Sequence, residues 1–133
     1  MSVTEAIKYA NSLLPGVPAA EGRNDPRWQA VIEVGNFIET DPDPVWQFVR
    51  QWGNCPQEDV RDAIACCLLE HLLEYHFDLL FPRVEKAVKE DSLFADTFSR
   101  CWKFGQAEGS ANSQQFDQLK TWCKVRMASR EQS

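Results

Sequence analysis

The stretch AIACCLLEHLLEYHFDLLF, residues 63–81, decides the fold because its apolar residues recur every three or four positions. That spacing gathers apolar side chains on one face of an α-helix. With His71 set at 0° and about 100° added per residue, the leucines fall on one side, and Glu70 and Glu74 fall on the other. The stretch therefore predicts a long amphipathic helix that covers residues 57–76.

The same helix carries residues that bind metals in other proteins. His71 and His76 are five residues apart and point about 140° away from each other, so one tetrahedral ion does not bind both easily. His76 lies among the leucines and is predicted to be a buried neutral imidazole bonded to a backbone carbonyl or a neighbouring side chain. Cys67, His71 and Glu74 share one stripe, which leaves a metal- or thiol-dependent enzyme as an alternative. Such a site needs a further ligand or orienting group that the sequence does not reveal, and no cofactor is predicted.

Helical signals occupy most of the remaining chain, and no segment favours a strand. Ser2 with Glu5 forms a capping box, and Asp25-Pro26 is typical of a helix start. We expect an all-α protein, with residues 105–113 as a flexible loop before the C-terminal helix. The other predicted helices span residues 2–14, 25–39, 43–52, 79–90, 92–104 and 112–130.

Composition predicts one compact domain that spans residues 1–133, because 44% of the residues are hydrophobic and 26% are charged. The sequence contains no apolar run of membrane-spanning length, and its first residues are polar and acidic rather than typical of a signal peptide. The five cysteines are an odd number, and Cys66 and Cys67 are adjacent, which favours reduced thiols. We therefore expect a cytoplasmic protein without a membrane partner.

Charge is distributed unevenly along the chain. The net charge is −6, and the first 80 residues contain 13 acidic and 5 basic residues. Nucleic acids require a basic surface, which this chain offers only as a short C-terminal stretch, so nucleic-acid binding is not predicted. An acidic surface favours a basic partner instead.

An internal repeat relates two of the predicted helices. A shift of 35 residues places VGNFIE on LEHLLE, so that Asn36 coincides with His71 and Glu39 with Glu74. Ile32 coincides with Cys67 under the same shift. This period is typical of stacked helical pairs, in which each helix packs against its own partner and against the next pair.

The phrases EDVRDAIACCLLEHLLE and TDPDPVW resemble HEAT-type repeats over residues 25–89. The second helix of such a repeat typically follows an aspartate-containing turn and opens with Val-Arg, here Val60 and Arg61. The chain departs from the pattern at Trp46, where arginine is usual, and at Arg27, where valine is usual. The resemblance implies an α-α superhelix of about three stacked antiparallel helix pairs plus a C-terminal helix. It also implies a scaffold that binds macromolecules rather than an enzyme.

These observations predict a non-enzymatic protein-interaction module, an adaptor or an inhibitor of the immunity type, with a basic protein partner. Because equivalent helices of a solenoid stand side by side, Asn36, Glu39, His71 and Glu74 should form one acidic strip on the concave face. Trp46 lies off the main apolar face of its helix, where it either packs against the next helix or is an exposed contact for the partner. A structural domain that dimerises through exposed aromatic residues is a further alternative, and the oligomeric state stays open.

Overall fold

The computed structural model describes residues 1–132, which form helices and their connections. No β-strand occurs in this part of the chain, and the predicted all-α class is confirmed. The elements are α1 (Val3–Leu13), α2 (Pro26–Gly35), α3 (Pro42–Trp52), α4 (Glu58–Ile64), a π-helical segment (Ala65–Leu69, the π segment), α5 (Glu70–Tyr75), α6 (Phe77–Glu90), α7 (Ser92–Ser99), a 3-10 helix (Gly105–Glu108) and α8 (Ser110–Gln132).

The starts of the helices follow the predicted signals closely. Ser2 Oγ accepts the backbone N–H of Glu5 at 3.1 Å, and the Asp25 carboxylate accepts the backbone N–H of Arg27 at 3.0 Å. The third helix begins at Pro42, one residue before the predicted start. Proline is compatible with that position because the first N–H groups of a helix have no intrahelical acceptor.

The end of α2 differs from the prediction. The helix stops at Gly35 rather than at Glu39, and the following N–H groups, beginning with that of Asn36, bond to carbonyls three residues earlier. This tighter spacing closes the last turn and redirects the chain toward Pro42, which begins α3. Asn36 and Glu39 therefore lie in a turn rather than in a helix.

The connection from α7 to α8 also differs. Helix α7 ends at Ser99 instead of Phe104, and residues 105–113, predicted as a flexible loop, contain a 3-10 helix and the first turn of α8. The Gln106 side chain accepts the N–H of Phe77 at 2.9 Å and donates to the Tyr75 carbonyl at 2.8 Å. It thus satisfies backbone groups at the break between α5 and α6.

The helices pack in two layers. One layer contains α1, α3 and α6, and the other contains α2, the long helix formed by α4, the π segment and α5 (the α4–α5 helix), and α7. Consecutive helices pair across the layers, α1 with α2, α3 with the α4–α5 helix, and α6 with α7, while α8 packs on α6 and α7. Within the second layer, the α4–α5 helix contacts both α2 and α7. It is therefore the central element of that layer.

Two buried arginines connect consecutive helix pairs. Arg27 of α2 donates to Asp25 at 2.8 Å and to Asp59 of the next pair at 2.9 Å. Arg61 of α4 donates to Asp96 of α7 at 3.0 Å. Each guanidinium also donates to backbone carbonyls in the connection that precedes its helix. Arg27 donates to Pro15, and Arg61 donates to residues 55 and 56. A charged hydrogen bond from a buried arginine therefore connects the first helix pair to the second and the second to the third.

The π segment accounts for a change of spacing between the two related helices. Arg27 and Arg61 are 34 residues apart, whereas Ile32 and Cys67, farther along the same helices, are 35 apart. A π-helical turn closes its hydrogen bonds over five residues instead of four and accommodates one additional residue. The π segment, Ala65–Leu69, begins between Arg61 and Cys67 and absorbs that residue.

Phenylalanines form much of the core, and Trp46 is buried with them. Trp46 is 5% exposed and meets Phe94 of α7 edge-on, with ring centroids 5.8 Å apart. Of the two interpretations of Trp46, the exposed contact is therefore wrong and packing against another helix is correct, although a helical wheel of α3 alone does not show that this helix is α7. Gly53 permits the same packing, because a Cβ there would lie 2.7 Å from Phe94 Cε2.

Candidate functional site

A groove runs between the end of α2 and the second half of the α4–α5 helix. Gly35 allows the two helices to approach closely, since a Cβ there would lie 3.3 Å from Leu68 Cδ2 and 3.6 Å from the Cys67 carbonyl oxygen. The π segment lies directly opposite this glycine. The glycine and the widened helical turn thus form the floor of the groove between them.

The groove has a volume of about 540 Å³ and contains most of the residues predicted for the site. Asn36, Glu39 and His71 line it together, and Glu74 is hydrogen-bonded to His71. Trp46 is absent from it. The complete lining consists of Ile32, Gly35, Asn36, Ile38, Glu39, Cys66, Cys67, His71 and Tyr75.

His71 is held by three contacts. Its Nδ1 lies 2.8 Å from Glu74 Oε1, its Nε2 lies 3.8 Å from Glu70 Oε1, and its ring stacks on that of Phe104 with centroids 5.7 Å apart. Both ring nitrogens therefore face carboxylates, and one ring face is covered. The imidazole has a fixed orientation at the wall of the groove.

Glu70 is a functional candidate that the sequence analysis missed. The helical wheel predicts an exposed position, but Glu70 is buried, and its Oε2 accepts the backbone N–H of Trp102 at 2.9 Å. Burial raises the pKa of this carboxyl group, and the hydrogen bond from the Trp102 N–H offsets part of that rise in pKa. The chain that leaves α7 covers Glu70, and a pattern within one helix carries no signal for that contact.

The cysteines of the groove are poorly suited to nucleophilic chemistry. Burial raises the pKa of the Cys67 thiol, and the nearby carboxylates of Glu70 and Asp62 raise it further. The pKa of Cys66 is raised for the same main reason. Both thiols are therefore protonated near neutral pH, and protonated thiols are weak nucleophiles and weak metal ligands.

No group of three or more His, Cys, Asp or Glu side chains is arranged to hold a metal ion within the part of the chain that the structure describes. His71 directs its Nδ1 toward Glu74 rather than toward Cys67. Of the three residues in the alternative enzyme site, Cys67, His71 and Glu74, only the last two are bonded to each other. The arrangement is a histidine whose orientation is set by a carboxylate.

His76 connects the two elements that form the groove. Its Nε2–H donates to the carbonyl of Ile38 at 2.9 Å, in the turn that follows α2. The predicted bond from this imidazole to a backbone carbonyl is confirmed, but the side chain is half-buried rather than buried as predicted. The bond joins the end of the α4–α5 helix to the turn that carries Asn36 and Glu39, and it therefore fixes the spacing of the two walls.

Comparison with known family models, curated proteins and solved structures gives no significant match. Among the described residues, no helix combines the length and the apolar character needed to cross a bilayer. The groove is therefore interpreted from its own residues and geometry.

Proposed function

We propose that this protein is a non-enzymatic interaction module, an adaptor or an immunity-type inhibitor, that binds a basic protein partner. In this proposal the two layers form a HEAT-like α-α superhelix, with α2, the α4–α5 helix and α7 along the concave face. The layered packing and the two equivalent arginine bonds, Arg27 with Asp59 and Arg61 with Asp96, support that arrangement. Each repeat then contributes one helix to the binding surface.

The observation that carries the proposal is the groove that brings Asn36 and Glu39, in the turn after α2, together with His71 of α5. None of the described residues that line it is a lysine or an arginine, and Glu74 adds a second carboxylate at its wall. The local charge is therefore negative. Complementary charge accelerates encounter with a basic partner and selects against acidic ones.

The raised pKa values of Cys66 and Cys67 favour this function over a thiol-dependent enzyme. A thiolate nucleophile requires a lowered pKa, which a neighbouring cation or base supplies. Here the charged neighbours of Cys67 are the acidic residues Asp62 and Glu70, which act in the opposite direction.

The test compares capture of partners from native cells by the unmodified protein and by the double variant Glu39→Lys, Glu74→Lys. We expect the double variant to bind the captured partner about 1 to 3 kcal/mol more weakly, with a larger difference at low salt. The matched control, Glu21→Lys with Glu85→Lys, makes the same change in net charge at two exposed sites outside the groove. Equal losses in both variants would indicate a general charge effect and contradict the proposal.

A further inference from the structure

Exposed aromatic groups lie around the groove. Tyr75 lines it and is 43% exposed, while Phe104, which stacks on His71, is 39% exposed. Trp102 is 73% exposed, and its backbone N–H is bound to Glu70, the residue next to His71. A soluble protein rarely exposes several large aromatic groups in one place unless they contact a partner. We call Tyr75 and Phe104, the two rings in contact with the groove or with His71, the aromatic shelf.

Carboxylates of two different kinds border the aromatic shelf. Glu39 is exposed and has no ion-pair partner among the described residues. Glu74 uses Oε1 for its bond to His71, which leaves its other oxygen as an acceptor. The surface therefore offers unpaired negative charge beside flat aromatic rings.

Two kinds of cation occur in a basic protein partner, and their chemistries differ. A guanidinium group is planar and weakly hydrated, so it stacks on aromatic faces and can donate two parallel hydrogen bonds to one carboxylate. An ammonium group is compact and strongly hydrated, and it gains less from a flat apolar surface. A site that combines aromatic rings with free carboxylates favours the guanidinium.

Resting on the proposed function, we propose that the partner places an arginine side chain in this groove. The guanidinium stacks against the aromatic shelf and bonds to Glu39 and to the free oxygen of Glu74. Its aliphatic stem packs along Ile32, an exposed apolar side chain in the wall of the groove. The partner segment is thus an exposed peptide that presents arginine beside apolar residues.

The experiment selects a display library of random short peptides on the immobilised full chain. We expect enriched peptides to share an arginine with an apolar neighbour. The enriched peptide is then synthesised with arginine or with lysine at that position, and we expect about 5- to 10-fold weaker binding for the lysine form. Glu39→Lys with Glu74→Lys should weaken the arginine peptide about 10-fold or more, and the Glu21→Lys with Glu85→Lys control by less than about 3-fold.

Absence of enrichment, enrichment of peptides without arginine, or equal affinity for the arginine and lysine forms would overturn the inference. Its failure is distinguishable from failure of the proposed function. If a captured protein still loses affinity in the Glu39→Lys, Glu74→Lys variant while peptides show no arginine preference, the binding function stands and the arginine inference falls.

Discussion

The contact between α2 and the α4–α5 helix has two ends with opposite chemistry. At one end Arg27 is buried between Asp25 and Asp59, and each carboxylate bonds to its guanidinium. At the other end the helices separate around a groove in which Glu39 is exposed and His71 is held by Glu74. Charges of the first kind fix how two helix pairs pack, because a buried ion tolerates few alternative positions. Charges of the second kind leave negative potential available to another molecule.

The largest expected effect on stability is at the end where Arg27 is buried, which we call the closed end. Arg27→Met keeps most of the side-chain volume but leaves the Asp25 carboxylate without its cationic partner and the Pro15 carbonyl without its donor. Because an unpaired buried charge is strongly unfavourable, we expect a loss of about 3 kcal/mol in the free energy of unfolding, measured with urea. Arg23→Met, at an exposed arginine nearby, should change it by less than about 0.5 kcal/mol. Similar values for the two variants would remove the distinction between the two ends.

A smaller effect concerns pH at the same end. Hydrogen bonds from the Arg27 guanidinium lower the pKa of Asp25 from 3.8 to about 2, so the native state favours the charged form. The resulting stabilisation, about 2 kcal/mol, is complete above the unfolded pKa of 3.8 and disappears as the pH falls through about 2. Unfolding experiments on the protein and on Asp25→Asn should therefore differ at neutral pH and converge in acid. A constant difference across that range would contradict the charged pairing.

At the end that contains the groove, which we call the open end, a substitution at Gly105 tests the backbone contact that supports Glu74. Gly105 has a φ of +52°, and a Cβ there would lie 2.9 Å from the Glu74 carbonyl oxygen. We expect Gly105→Ala to lower the free energy of unfolding by about 1 to 2 kcal/mol. Gly109→Ala is the control, because its Cβ would meet no atom closer than 3.4 Å at an ordinary φ. Thermal unfolding that ranks the two variants equally would argue against this support.

The smallest expected effect on stability is that of reversing the groove charges. Glu39→Lys with Glu74→Lys should change the free energy of unfolding by less than about 1 kcal/mol, because Glu39 is exposed and the pair of Glu74 with His71 is partly open to solvent. The helical circular dichroism spectrum should be unchanged. A loss above about 2 kcal/mol would mean that the open end holds the fold together and is not reserved for a partner.

Local signals in the sequence predicted the fold class and most starts of helices. Capping side chains such as Ser2 and Asp25 act within one turn of their own helix, so the sequence displays them directly. The 35-residue shift also anticipated that Asn36 and His71 line one groove, although Asn36 lies in the turn after α2 rather than in a helix. Binding of a partner by these residues stays a prediction.

Contacts between distant segments were not visible in the sequence. Trp46 is covered by α7, and Glu70 is covered by the chain that follows α7, so a wheel drawn for a single helix misplaced both. The HEAT pattern predicted the arginine of the first helix pair one residue after Arg27. In the structure, Arg27 itself donates to Asp59. These differences arise from tertiary packing, which overrides local preference.

The additional residue in the π segment sets the angular phase of the α4–α5 helix. In an uninterrupted α-helix one extra residue would rotate everything after it by about 100°. The wider turn absorbs that rotation, so Arg61 before it still faces α7 while His71 after it still faces the groove. One helix thus presents two faces whose directions are set independently, one for packing against α7 and one for the surface beside α2.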